Sequence, residues 1–180
     1  FPHALLPGIE RVSVMKILGV LVDDKLSFNN HLEKIISSSA SSLYAIKILK
    51  SKGLRPPSLW DVTKQTAIAK MQYASSVWWG FLNKESQKRL DAIIKRFIKY
   101  SYLSPDHPSF SQLCEDADAN LFLNILKKDT HVLYNSLPKK KEKNYDLRPR
   151  VHDLTLTSLS TCQQQNSFLN RMLFFNSYSY

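Results

Sequence analysis

The sequence predicts a mainly α protein: an N-terminal β-hairpin followed by a helical bundle of about five helices, with a short strand near 151–159. Three observations carry this. Val12 to Val22 is β-branched and apolar and ends at the turn-prone pair Asp23-Asp24, as a strand or hairpin does. From Phe28 onward the apolar period changes to helical spacing. Beyond that, apolar stripes alternate with breakers at Gly53, Pro56-Pro57, Gly80 and Ser104-Pro105.

Each element has its own local reason. Gly19, inside the first apolar run, permits a bulge or the close approach of another backbone. The first helix spans Phe28 to Ser51, with Ser27 or Asn29 as its cap. Leu32, Ile35, Ile36, Leu43, Ile46 and Leu49 share one of its faces. Small residues between Ser37 and Ser42 leave room for another helix. Lys47, Lys50, Lys52 and Arg55 gather at its end, where they suit either the helix dipole or a phosphate.

The second helix starts at the Pro pair and runs to about Trp79. Tyr73, Trp78 and Trp79 on it suit packing first and base stacking second. The third helix, Glu85 to Tyr100, is the sharpest amphipath. Leu90, Ile93, Ile94, Phe97 and Ile98 lie on one arc. Lys84, Lys88, Lys95 and Lys99 lie opposite, flanked by Arg89 and Arg96. These six cations are the nucleic-acid-binding candidates, because a one-signed ridge releases counterions when it meets phosphates. An ordinary solvated face has the same pattern. A short helix from Phe110 to Asp116 and another from Ala119 to Leu137 follow, with Glu115, Asp116 and Asp118 at their junction as first-turn acids. Pro138 to Lys143 is a basic linker. Ser167 to Tyr178 forms a last apolar helix.

The chain has 180 residues, 43% hydrophobic and 22% charged, enough for a core and too apolar for global disorder. No apolar run reaches the roughly 18 residues of a membrane span. The net charge is +10, which favours polyanionic partners. Residues 1–80 carry ten cations against five acids and residues 136–180 seven against three, so the excess sits in the first and last thirds. Cys114 and Cys162 have neither disulfide-framework nor zinc spacing and read as free thiols. Phe1-Pro2-His3-Ala4 carries no initiator Met, and the chain reads as a fragment.

Three stretches carry a family resemblance. Lys16-Ile17-Leu18-Gly19-Val20, an Asp, Lys25-Leu26-Ser27-Phe28 and His31-Leu32 resemble the segment after the catalytic palm motifs of non-LTR retrotransposon reverse transcriptases of the jockey type. Tyr73-Ala74-Ser75-Ser76-Val77-Trp78 resembles the family's Tyr-x-Ser-x-Val-Trp. A third match is Leu147-Arg148-Pro149-Arg150 with Asn166 to Arg171 and Phe175-Asn176, Phe175 standing where the family has Trp. The resemblance implies the end of the palm with a primer-grip-like hairpin over 1–27, where Lys16, Leu18 and Gly19 support a primer end. It implies thumb-like helices over 28–103. It implies a helical C-terminal extension over 104–180, with the basic linker at 138–150. The implied partners are an RNA–DNA duplex or element RNA and the upstream palm and fingers of the same polypeptide, in an intracellular ribonucleoprotein, nuclear or cytoplasmic. The Mg²⁺ of such a polymerase belongs to the palm.

Catalysis is not expected of this stretch alone. A polymerase holds two metal ions about 3.5–4 Å apart on carboxylates. Asp23-Asp24 has no aromatic residue two positions before it and no upstream strand bearing an Asp. There is no Gly-x-Ser-x-Gly and no Gly-rich phosphate loop. The alternative to a polymerase fragment is a non-enzymatic nucleic-acid-binding or helical interaction module, or the relic of a degenerate element.

Overall fold

The first apolar run folds as a hairpin rather than one strand, because it turns at Leu18-Gly19. The computed structural model describes residues 10–141, 151–156 and 158–178, without the side chains of 176–178. Strands β1 (Val14–Ile17) and β2 (Val20–Asp23) pair antiparallel, with Val14 opposite Asp23 and Ile17 opposite Val20. Leu18 and Gly19 form the two-residue turn, at φ 46° and 92°. Two left-handed residues match the twist of the flanking strands, and glycine adopts that conformation at no steric cost.

The next turn is built by Asp23. Its Oδ1 accepts from the amides of Lys25 and Ser27 at 3.0 and 2.8 Å, and its Oδ2 accepts the Ser27 hydroxyl. The Ser27 hydroxyl bond is the main reason the carboxyl titrates below its ordinary range. Ser27 is therefore not the expected helix cap, and neither is Asn29. Helix α1 (Asn29–Ser51) starts at Phe28, left-handed at φ 58° and without a side-chain cap. Packing takes the cap's place: Phe28 is buried with its ring centroid 5.1 Å from that of Phe81.

The second helix departs from expectation. Helix α2 (Pro56–Thr63), a π-helical segment (Lys64–Ile68) and α3 (Ala69–Gln72) run on continuously, but the run stops at Gln72 and not at Trp79. Ala74 turns left-handed, at φ 52°. The Trp78 indole N–H donates to the Tyr73 carbonyl at 3.1 Å, a bond that the break makes accessible. Helix α4 (Ser75–Trp78) and a 3₁₀ turn (Trp79–Phe81) complete the segment.

Helix α5 (Lys84–Lys99) is capped by Asn83, whose side chain accepts from the Ser86 amide at 2.8 Å. At its other end Lys50 donates to the Tyr100 carbonyl at 2.8 Å and lies 5.3 Å from the Tyr102 ring centroid. Helix α6 (Phe110–Lys127) is one helix where two were expected. Asp118 is not a first-turn acid: it sits mid-helix, 1% exposed, with Oδ2 accepting from Arg171 at 2.9 Å. Residues 128–137 form turns and a 3₁₀ turn (Tyr134–Ser136) instead of helix.

The strand expected over 151–159 reduces, among the described residues, to an isolated antiparallel bridge, Lys140 with Leu154. That bridge also fixes the backbone at the start of the basic linker, since the Lys141 amide donates to the Asp153 carbonyl at 2.7 Å, while Lys139, Lys140 and Lys141 stay exposed. The rest of the linker, including Arg148 and Arg150, lies outside the described residues. Helix α7 (Cys162–Asn166) begins with a Thr161/Gln164 capping box, and α8 (Phe168–Tyr178) follows.

The core has two parts. The larger joins β2 and α1 through α5 to the start of α6, around Trp78, Phe97, Phe110 and Leu90. The smaller packs Phe122, Met172 and Leu173 with Leu126, Leu154 and Phe168. Arg171 is the seam. Besides pairing with Asp118 it donates to the carbonyls of Asn166 (3.1 Å) and Ser76 (3.5 Å). Gly80 makes room for it: a Cβ there would lie 2.6 Å from the Asn166 carbonyl oxygen and meet the Arg171 side chain.

Replacing Arg171 by Ala leaves the Asp118 carboxylate buried and unpaired, and about 3–5 kcal/mol of stability is expected to be lost in urea unfolding. The double variant Asp118→Leu with Arg171→Met is expected to recover most of it, because paired apolar groups fill the same space without a desolvation cost. If the double variant unfolds as readily as Arg171→Ala, the pair is not what holds the seam.

Candidate nucleic-acid interface

The hairpin is held at both ends by groups from the helices. At its tip, the Tyr73 hydroxyl donates to the Leu18 carbonyl at 3.0 Å. Gly19 lies against the same ring, where an added Cβ would be 3.4 Å from the nearest ring carbon. Leu18 itself is 86% exposed and Lys16 is exposed beside it. On β2, the Leu21 amide donates to His31 Nδ1 at 3.3 Å. The His31 ring meets Trp78 edge-on, with centroids 5.4 Å apart. The residues quoted for the first two matches thus form one packed unit: the Leu18-Gly19 turn, His31, Tyr73 and Trp78.

Of the three aromatic residues with a stacking alternative, Trp78 and Trp79 are buried and Tyr73 is 56% exposed. Only Tyr73 presents a ring to solvent. Lys50, one of the four cations at the end of α1, is occupied by Tyr100 and Tyr102.

The cation ridge of α5 is fully outward. Lys84, Lys88, Arg89, Lys95, Arg96 and Lys99 are all exposed, opposite the buried Leu90, Ile93, Ile94 and Phe97. At 100° per residue the four lysines fall within an arc of about 60°, along roughly 22 Å of helix. Arg89 differs from the other five. It pairs with Glu33 of α1 through two bonds, at 2.7 and 3.1 Å, which raise its pKa and lower that of Glu33. Among the described residues the other five cations make no ion pair. Asp91, the acid within the ridge, is drawn to α6, accepting from the amide and hydroxyl of Ser111 at 2.9 and 2.7 Å. Glu85 remains as the acid in the first turn.

The remaining chemistry-bearing groups do not assemble. Both Asp23 carboxylate oxygens are engaged in the turn, so the Asp23-Asp24 pair does not fit a two-metal clamp. Among the described residues no group of three His, Cys, Asp or Glu could hold a metal ion. Cys114 is buried, and loss of hydration pushes its thiol up to about 12, well away from a nucleophile. Among the described residues no helix is long and apolar enough to cross a membrane. No protein-family model, curated protein or solved structure matches the chain.

Sequence reasoning did not single out His31 as the joint. A lone His in an amphipathic stripe gives no signal until its two neighbours, Leu21 and Trp78, are placed in space.

Burial, and then the charge of Lys34, hold the His31 pKa below its ordinary value. A base with a lowered folded pKa takes protons more readily when unfolded. Its share of stability is complete above about pH 6.5 and declines as pH falls from there toward the folded value. Protonation at Nδ1 also removes the acceptor for Leu21. Urea midpoints between pH 8 and 5 are expected to fall for the native chain. In His31→Asn, whose amide oxygen can still accept from Leu21, that part of the decline is expected to vanish. An identical decline in the variant would assign it to another group.

Proposed function

We propose that the chain is the post-palm part of a non-LTR retrotransposon reverse transcriptase. In this reading it positions a primer end and grips an RNA–DNA duplex, and it does not carry out the chemistry. The observation that carries this is the contact between the two matching stretches. Tyr73 and Leu18, 55 residues apart, meet through a hydrogen bond at the hairpin tip, where the resemblance implies a primer grip. Lys16, Leu18 and Gly19 form the rim nearest a primer terminus. The α5 ridge supplies the grip through the backbone, where contacts position a duplex without reading its sequence. Lys84, Lys88, Lys95, Arg96 and Lys99 are the cations available for this. Arg89 is paired with Glu33 instead.

Catalysis then belongs to carboxylates and Mg²⁺ upstream in the same polypeptide. Residues of this stretch hold nucleic acid in register for that centre. The polycationic surface and the buried joint between hairpin and helices both favour this over a purely helical interaction module, which has no use for an exposed Leu18-Gly19 tip.

The test has two parts. Lys88→Glu, Lys95→Glu and Lys99→Glu together are expected to weaken RNA–DNA duplex binding and flatten its salt dependence. The slope of log affinity against log salt should fall by up to about 0.9 for each lysine that met a phosphate. Anisotropy titrations across a KCl series measure it, and an unchanged slope removes α5 from the interface. The second part joins the chain to the in-frame sequence upstream. Primer extension is expected from the joined protein and not from this chain alone. Extension by the chain alone, or an upstream sequence without an aromatic-x-Asp-Asp strand pair, would falsify the reading.

A further inference from the structure

Between the hairpin tip, α1 and the π-helical segment lies a cavity of about 420 Å³, within the size range of small-molecule sites. Its walls are mostly apolar although α1 lines it with serines. Ile35, Ala67 and Met71, all buried, face it together with Tyr73, whose hydroxyl is spent on the Leu18 carbonyl. Two of the lining serines turn their hydroxyls back on their own helix. Ser39 donates to the Ile35 carbonyl at 2.7 Å and Ser42 to the Ser38 carbonyl at 3.1 Å, so neither offers its proton to the space. Ala67 belongs to the π-helical segment, and single π turns recur at functional sites.

The charge at the edge of this space has one sign. Lys34 of α1 and Lys70 of α3 line it, both exposed, and no acid among the described residues does. Neither lysine has an ion-pair partner among the described residues. A lysine lays its methylene stem along apolar surface and keeps its ammonium in water. The two helices that wall the cavity therefore each bring one uncancelled positive charge to its mouth.

We infer that this cavity binds a small amphiphilic carboxylate, its apolar body against Ile35, Ala67, Met71 and Tyr73 and its carboxylate at the mouth beside Lys34 and Lys70. Charge and surface together select this class. Inorganic phosphate gains from the lysines and nothing from the apolar walls. A neutral apolar molecule gains from the walls and nothing from the lysines, and an apolar cation is repelled by them. Only an anion with an apolar body uses both. That body is an alkyl chain or an aromatic ring, the carboxylate being common to the two. The inference rests on the cavity's own lining and not on the polymerase reading or on α5.

The test follows Met71, which lines the cavity, against Met172, which packs in the smaller core. The full chain labelled with ¹³C-methyl methionine, its Met71 signal assigned by comparison with Met71→Leu, is titrated with decanoate below its micellar concentration, naphthoate, decylamine, inorganic phosphate and AMP. Decanoate or naphthoate is expected to move the Met71 signal saturably and to leave Met172 in place. The double variant Lys34→Glu with Lys70→Glu, at two exposed positions, is expected to weaken that binding about tenfold. Ser37→Phe, also at an exposed lining position, is expected to block the mouth and abolish it. If the double variant does not fold, Ser37→Phe decides. Tighter binding of decanoate assigns an alkyl body and tighter binding of naphthoate an aromatic one; either upholds the site. No saturable movement with either carboxylate, movement matched by decylamine, inorganic phosphate or AMP, or indifference to the variants overturns it. The triple reversal on α5 should leave this response intact, so this site and the duplex grip fail separately.

Discussion

The structure depends on one buried residue, Trp78, and on the backbone break that accommodates it. Its side chain is fully buried, yet its indole N–H needs an acceptor. A continuous helix through Tyr73 would commit that carbonyl to the helical ladder. The left-handed turn at Ala74 frees it, and Trp78 takes it at 3.1 Å. A non-glycine residue in that conformation costs of order 1 kcal/mol or more, a cost offset by burying an indole against His31, Trp79 and Phe110. The same break leaves Tyr73 outside the core. Its hydroxyl then reaches the hairpin, so the buried tryptophan and the exposed tip are two consequences of one turn.

This also explains which parts of the fold were legible. Helices α1 and α5 announced themselves because their apolar residues repeat at helical spacing on an otherwise polar surface. The hairpin was legible from its β-branched residues, but its turn was not, because Gly19 read as a bulge or a close backbone approach and not as the second turn residue after a left-handed Leu18. The break at Tyr73-Ala74 was not, because neither Gly nor Pro marks it and the apolar pattern continues across it from Met71 to Trp78. Asp118 was misplaced for a related reason. An acid in a polar run looks alike whether it starts a helix or sits buried, and what distinguishes them is Arg171, 53 residues away. The cation ridge was legible as a list of residues, but Arg89's partner was not, since Glu33 belongs to another helix.

Electrostatics follow from the same long-range placements. The ridge on α5 is one-signed partly by composition and partly because one of its acids, Asp91, is used elsewhere. Asp91 turns to Ser111, where it fixes the start of α6. Glu33 cancels Arg89 at the α1–α5 contact. That exposed pair is solvent-screened and contributes little to stability, so its effect is on where charge stands and not on whether the chain folds. Five cations stay outward with Glu85 alone among them, which is the condition for a field that a polyanion can feel.

The first two turns of α1 tie these features together. His31 faces the hairpin and Trp78, and Glu33, two residues on, reaches α5. Two residues apart on a helix means about 200° of rotation, so neighbours in sequence serve opposite neighbours in space. The position of the hairpin tip relative to the ridge is consequently set by one rigid turn and not by a loop. Under the proposed reading this matters, because a primer end held at Leu18-Gly19 and a duplex held on α5 must keep a fixed offset while the strand advances. The cavity beside His31 runs on along about two turns of the same helix, walled by Lys34, Ile35 and Ser38. Tyr73 lines it too, so both residues that hold the hairpin, His31 at β2 and Tyr73 at the tip, border one space.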